Sequence, residues 1–244
     1  DQTTNDNDAS LNGDAAYNSD VRGYFTLDGT GDYLQISDNS SLNLGAATYE
    51  MWFRQPSYAT TEHLFGRFEG EGHRDFFVRT GSSSGALECA FYDGTLQIHS
   101  NIVTANSAYT ANEWSHVAVT LAGNTTGSAV KLYVNGTLQA TQNLTGNRVA
   151  DATADLFLGR LGSGLAFEFI GDIGTTRIYN VALTASEVAQ NFRAGNFLSY
   201  SSIYSTDLIT NLDAANYTSG TWDDSVGSHN ATIYGASFDK ELGN

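Results

Sequence analysis

Apolar residues recur at alternate positions in short runs along most of the chain, and Gly-, Asp- and Asn-rich turns separate the runs. That period is the signature of half-buried β-strands. Tyr24-Phe25-Thr26-Leu27 passes through Asp28-Gly29-Thr30-Gly31 into Asp32-Tyr33-Leu34-Gln35-Ile36, which reads as strand, turn, strand. Thr48 to Arg54 alternates strictly. Tyr49, Met51 and Phe53 point one way; Glu50, Trp52 and Arg54 point the other. Further strands are predicted at 61–68, 74–79, 86–92, 95–99, 115–121, 129–135, 155–160 and 168–178. Within the run from Lys131 to Gln139, Asn135-Gly136 supplies the two positive φ angles of a type I′ hairpin turn. One helix is predicted, over 185–193 and ending before Gly195. Thr184 and Glu187 form its capping box, and Leu183 and Val188 its hydrophobic staple. The pattern therefore predicts an all-β protein: a two-sheet antiparallel sandwich or jelly roll with one short C-terminal helix. Its core should hold Leu34, Met51, Phe53, Val117, Val119, Leu132, Val134, Leu158 and Ile178.

Charge narrows the functional classes. The 244 residues carry 27 acidic and 11 basic side chains, a net charge of −16. Nucleic acid and anionic lipid need clustered cations, so neither is an expected partner. No apolar run approaches the roughly 18 residues of a membrane span. The single Cys89 excludes an internal disulfide framework and a cysteine zinc site. The chain shows no initiator Met and no signal peptide, as expected of a mature or excised fragment. An acidic, Lys-poor, Gly/Ser/Thr/Asn-rich composition points outside the cell. Sequons begin at Asn39, Asn124, Asn135, Asn143, Asn216 and Asn230, which matters only in a eukaryotic secretory pathway.

The two ends echo each other. Asp8-Ala9-Ser10-Leu11-Asn12-Gly13 and Asn230-Ala231-Thr232-Ile233-Tyr234-Gly235 share Asp/Asn-Ala-Ser/Thr-aliphatic-x-Gly. The predicted organisation is an opening segment at 1–22, a sandwich at 23–195, a linker at 196–205, and the start of a second repeat-like segment at 206–244. The tail stretch Leu208 to Ala214 reads as a strand that the sandwich itself lacks. It should pair with a sheet, either on the next copy, head to tail, or folded back on its own module.

Several motifs resemble the laminin-G-like, concanavalin-A-like jelly-roll modules of bacterial and phage surface proteins. Phe25 to Leu34 is similar to their F-x-F-D-G-x-x-D-Y-V opening, and Thr48 to Arg54 to T-I-E-A-W-V-K. Trp114 to Thr120 resembles W-x-H-V-A-V-T, and Lys131 to Gly136 resembles L-Y-V-N-G. Leu156 to Arg160, Phe169 to Ile173, Arg177 to Asn180 and Ala182 to Val188 follow the family's closing strands and helix. The tail, Leu212 to Asn216 with Thr221 to Asp224, resembles the opening strand of such modules. The resemblance spans about 24–195. It implies a jelly-roll fold, frequent saccharide binding on a sheet face, and in many relatives a structural calcium.

The candidate sites follow. Asp28, Asp32 and Asp172 offer hard oxygen ligands for Ca2+, although Gly174 stands where the family usually has an acid. The same aspartates can instead stabilise their own turn. For glycan binding, Glu50 and Arg54 lie on the polar side of their strand, and Arg67, Arg79, Glu88, Tyr92 and His99 are expected to share that face. Planar Arg and Glu groups beside an aromatic suit sugar hydroxyls. Tyr58, His73 and Arg74 are the loop candidates. An enzyme is not expected: Glu69 and Glu71 are the only close acidic pair, and they lie in a Gly-flanked turn. His63, His73, His99, His116 and His229 are scattered. Two functions remain open. One is a non-catalytic surface module binding a polysaccharide. The other is a structural repeat unit of a fibre, filament or capsid decoration, partnered by copies of itself or other virion proteins.

Overall fold

The computed structural model describes residues 1–19, 23–58, 60–69, 73–81, 84–94, 98–104, 106–148, 153–162 and 167–195, with the backbone of four tail strands. The strands of the first half are β1 (Ala9–Asn12), β2 (Ala16–Asn18), β3 (Tyr24–Asp28), β4 (Tyr33–Ile36), β5 (Ala47–Arg54), β6 (His63–Phe68), β7 (Arg74–Thr80), β8 (Leu87–Gly94) and β9 (Ile98–Val103). Then come β10 (Ser115–Leu121), β11 (Ala129–Val134), β12 (Thr137–Asn143), β13 (Leu156–Leu158), β14 (Ile170–Tyr179) and helix α1 (Ala185–Gly195). The tail adds β15 (Leu208–Leu212), β16 (Tyr217–Thr218), β17 (Thr221–Trp222) and β18 (Ala231–Thr232).

Two antiparallel sheets form the sandwich. The front sheet runs β1-β4-β13-β6-β7-β8-β9, and the back sheet runs β12-β11-β10-β5-β14-β3-β2. Every residue predicted for the core is buried between them. Tyr49, Met51 and Phe53 face inward, as alternation on β5 requires. Asn135 and Gly136 have φ of 49° and 73°, the left-handed pair that a type I′ turn needs. At α1 the Thr184 N–H donates to Glu187 Oε2 (2.7 Å) and the Glu187 N–H to Thr184 Oγ1 (3.4 Å). The helix runs two residues past its predicted end and includes Gly195. A Cβ there would lie 2.2 Å from the Trp52 indole nitrogen, so only glycine lets the helix end reach the sheet. The strand predicted at 95–99 lies instead at 98–103. Among the described residues no helix is long and apolar enough to cross a membrane.

The ends of the chain are woven into the same sheets. β1 pairs with β4, and β2 with β3, so part of 1–22 lies in both layers. Ala9 and Leu11 point into the core. Gly13, the last residue of the first echo, has φ 78°, and a Cβ there would lie 2.2 Å from Asp32 Oδ1. The tail strand β15 pairs with β14, Thr176 opposite Leu212 and Tyr179 opposite Leu208. It prolongs the edge that β3 occupies against Ile170–Ile173. Of the two placements expected for 208–212, the structure has the fold-back one, so the β14 edge is filled from within the chain. Of the second echo only Ala231 and Thr232 are described, as β18. The linker at 196–205 and the sequons at Asn216 and Asn230 lie outside the described residues.

Candidate functional site

The outer face of the front sheet carries an aromatic floor. On β7, Phe76 and Val78 go to the core, so Phe77 and Arg79 go outward. β8 is in register: Ala90 stands opposite Phe77 and Glu88 opposite Arg79. A register shift in β6 between His63 and Phe65 turns His63 outward while Leu64 and Phe65 both enter the core. Phe68, Phe77, Ala90, Tyr92 and Leu161 form a cluster separate from the main core. Phe68 and Tyr92 meet edge to face, with ring centroids 5.4 Å apart. Two guanidinium groups cover this floor: Arg79 lies 4.7 Å above the Phe77 ring and Arg74 4.9 Å above Phe68. Arg79 Nε and Nη2 both donate to Glu88 Oε2, at 2.9 and 2.8 Å. Beside them His63 packs edge-on to Phe77 (5.2 Å) and to Phe167 (5.6 Å).

The outer face of the back sheet is different, because α1 covers it. Glu50 was expected on an open face, but it is 1% exposed. Arg177 Nη1 donates to its Oε1 (3.1 Å), Asn191 of α1 donates to its Oε2 (3.1 Å), and His116 Nε2 lies 3.5 Å away. Burial alone would push the Glu50 carboxyl up; His116, Arg177 and Asn191 outweigh it and hold the pKa below the usual carboxylate range. Trp52 stacks on Phe192 of the helix, 5.5 Å between centroids. At the far end of β5, half-buried Arg54 donates from Nε to Asp172 Oδ2 (2.7 Å) and lies over Tyr24 and Trp114. Thr26 Oγ1 donates to Asp172 Oδ1 (2.7 Å).

The structure therefore brings together only some of the predicted site residues. Arg74, Arg79, Glu88 and Tyr92 share the front face. Glu50 and Arg54 lie on the opposite side of the sandwich. Arg67 lies on neither outer face: after the shift at His63/Phe65 it stands opposite core-facing Phe76, and it is 1% exposed. It donates to Leu42 O, Ala154 O and Asp38, near Asp75, which Arg148 also pairs. Tyr58 is tied into its loop: its hydroxyl donates to Tyr109 O and accepts from Ala111 N–H. His73 is exposed beside Thr153, with Nδ1 2.6 Å from Oγ1. The side chain of His99 lies outside the described residues, as do Glu71 and His229.

The acidic triplet also regroups. Asp14, Asp28 and Asp32 each present a carboxylate oxygen within 4.8 Å of the others. Asp172 is not among them; Arg54 and Thr26 engage its carboxylate instead. Asp32 Oδ1 accepts the Asp14 N–H (2.8 Å) and its Oδ2 the Asp28 N–H (3.0 Å). Burial pushes its pKa up, the two N–H groups oppose that, and the flanking carboxylates add to it. Hard carboxylate oxygens of this kind fit a Ca2+ ion.

Sequence reasoning missed Phe68, Phe77, His63 and Phe167. In the apolar run Phe76-Phe77-Val78 no alternation is visible, so nothing local says which ring faces out. Comparison with known proteins follows from this architecture. The sequence profile of the concanavalin A-like lectin/glucanases superfamily matches residues 28–189, more than half of the chain. The chain belongs to that superfamily. Among solved structures, the binding domain of Paraclostridial Mosquitocidal Protein 1 is 17% identical, with TM-score 0.63, over 77% of this chain and 47% of that one. Domain 4 of AbnA, a GH43 extracellular arabinanase from Geobacillus stearothermophilus, in complex with arabinotriose, is 19% identical, with TM-score 0.55, over 74% and 85%. A putative carbohydrate binding protein from Bacteroides ovatus is 20% identical, with TM-score 0.56, over 92% and 58%. The chain spans under half the length of the toxin domains it matches. At these identities the likeness is one of fold. No curated protein sequence matches the chain.

Proposed function

We propose that this chain is a non-catalytic carbohydrate-binding module of an exported or virion-borne surface protein, and that the outer face of the front sheet is its binding surface. One observation carries the reading: on a face that no helix covers among the described residues, the part-solvated Arg79–Glu88 pair and Arg74 lie over an aromatic floor of Phe77, Phe68 and Tyr92, which are 5–8% exposed. The planar charged groups suit sugar hydroxyls, and a guanidinium that swings aside to meet them would bare a ring for the sugar's C–H face. The AbnA domain with its arabinotriose supports the ligand class. The enclosed Glu50–Arg177–His116 cluster has no access for a substrate, which supports a binding role over catalysis. A bound Ca2+ would be held by Asp14, Asp28 and Asp32. It would neutralise that cluster and stiffen the turn between β3 and β4.

A shallow face gives weak single-site binding, and multivalent display strengthens it. The test is a glycan array probed with a multimer of the protein. Binding should fall at least tenfold in Arg79→Ala and Tyr92→Ala and stay within twofold in Arg54→Ala. Loss in Arg54→Ala with Arg79→Ala unchanged would move the site to the back sheet. No binding to any neutral or acidic glycan would remove the reading.

A further inference from the structure

Where the front face meets the start of β14, one group has no structural task. His63 is 1% exposed, and among the described residues neither ring nitrogen has a partner at hydrogen-bond distance and angle, although the Phe167 carbonyl lies close enough to favour the protonated ring. Buried polar groups are nearly always paired, so a buried imidazole with neither nitrogen in a formed hydrogen bond calls for a function. It stands opposite Arg79 in the β6–β7 register and edge-on to Phe77. Against it packs the Phe167 ring, 5.6 Å away and 52% exposed. Phe167 also has φ 79°, a left-handed backbone that a bulky residue rarely adopts. Strain of this kind persists only where surrounding structure enforces it, and it clusters at binding sites. The His63 backbone N–H donates to the Phe167 carbonyl (3.0 Å) and ties this backbone to β6.

Resting on the carbohydrate-binding reading, we propose that His63 is the hydrogen-bonding centre of a neutral-saccharide subsite, with the Phe167 ring as its movable cover. The carbonyl tie holds the backbone in place, so side-chain rotation of Phe167 is enough to open the subsite. The uncovered imidazole is neutral and presents one donor and one acceptor. The two nitrogens point to nearly opposite sides of the ring, so the one on the opened side engages a single sugar hydroxyl, as donor or acceptor according to the tautomer. Arg79 and Glu88 lie next in the row, and the displaced Phe167 ring supplies a stacking surface for the sugar's C–H face. The ligand class follows from charge. The Arg79 guanidinium is already neutralised by Glu88, and a protein of net charge −16 repels uronic and sulfated chains. Burial pushes the His63 pKa down to about 3, with Arg79 adding to the shift and the Phe167 carbonyl opposing it, so the ring stays neutral at ordinary pH.

The experiment titrates the 15N-labelled full chain with a panel of neutral trisaccharides: arabino-, xylo-, cello- and laminaritriose. Imidazole nitrogen shifts of His63 are followed by NMR and affinities by calorimetry. The expected result is movement of both His63 nitrogens with one panel member. His63→Phe, which keeps the apolar volume, should weaken that sugar at least tenfold without lowering Tm. Phe167→Ala should weaken it severalfold. If a sugar binds while the His63 nitrogens stay still and His63→Phe is within twofold of wild type, the subsite is overturned and the broader reading stands. If no member binds but an acidic glycan binds the array, the neutral subsite is overturned alone. If nothing binds in either format, both fall. Should His63→Phe fail to fold, the wild-type nitrogen shifts still decide.

Discussion

The two outer faces of this sandwich start from the same kind of strand and end as opposites. On β5, Glu50, Trp52 and Arg54 alternate with core residues; on β7 and β8, Phe77, Arg79, Glu88 and Tyr92 do the same. Helix α1 docks on the first set. Its Asn191 and Phe192 seal Glu50 and Trp52 against His116 and Arg177, and the polar groups become internal cement. No helix covers the second set among the described residues, and its Arg–Glu pair stays partly solvated over buried aromatics. Burial decides what the same residue types do. An enclosed ion pair must satisfy itself, whereas an open one can exchange partners with a ligand.

The contrast is broken most forcefully at Glu50. Glu50→Ala leaves Arg177 buried without its counter-charge, a loss of about 3–5 kcal/mol. At roughly 2–4 °C per kcal/mol for a chain of this size, Tm should fall by roughly 10 °C in calorimetry. A fall of a degree or two would mean that the back face is as open as the front.

Acid acts on both faces with the same sign but through different groups. The pKa of His63 is lowered, to about 3 against an ordinary 6.5. Between those values the unfolded chain binds a proton that the folded chain refuses, so stability falls as pH drops from about 6.5 to about 3. At about 1.4 kcal/mol per unit, the loss is on the order of 4 kcal/mol across that window. Glu50, with its folded pKa depressed, contributes stability that is present above its unfolded value and lost as pH falls through its folded one. Urea titrations at pH 7, 5 and 4 should show the steep loss in wild type and a shallower one in His63→Phe, which keeps only the carboxylate part.

Calcium sharpens the assignment of the aspartates. With an affinity typical of extracellular modules, 10 mM Ca2+ should stabilise the chain by about 1.4–2.7 kcal/mol. The Ca2+-induced rise in Tm should vanish in Asp32→Asn and persist in Asp172→Asn. The reverse pattern would return the site to the back sheet. The smallest effect belongs to the front-face ion pair. Arg79→Ala should cost about 1 kcal/mol or less in denaturant unfolding, in contrast to Glu50→Ala, because its pair is half solvated.

Local pattern exposed a good deal of this. The inward set Tyr49, Met51 and Phe53, the Asn135-Gly136 turn and the Thr184–Glu187 cap each depend on residues a few positions apart, and each is present. Arg67 shows where such reasoning stops. Counting by twos puts it with Arg79 on the outer face, but the shift between His63 and Phe65 resets the count and turns it inward. Asp172 shows a second limit. Beside Asp28 and Asp32 it completes a plausible ligand trio on paper, yet β14 carries it to Arg54, and Asp14 from the β1–β2 turn takes the place instead.

The sequence by itself determined that this is a two-sheet sandwich, which residues fill its core, and where its one described helix begins, because period-two alternation and capping chemistry are written in neighbouring residues. It also held a strand in the tail with apolar residues to bury. Only the tertiary structure decided that this strand closes the β14 edge of its own module, that α1 covers the back face and not the front, and that Phe77, His63 and Phe167 meet. Two of those choices depend on segments more than a hundred residues apart, Glu50 with Asn191 and His63 with Phe167. Alternation separates the two sides of a strand; only docking of distant elements decides which side remains open to a ligand.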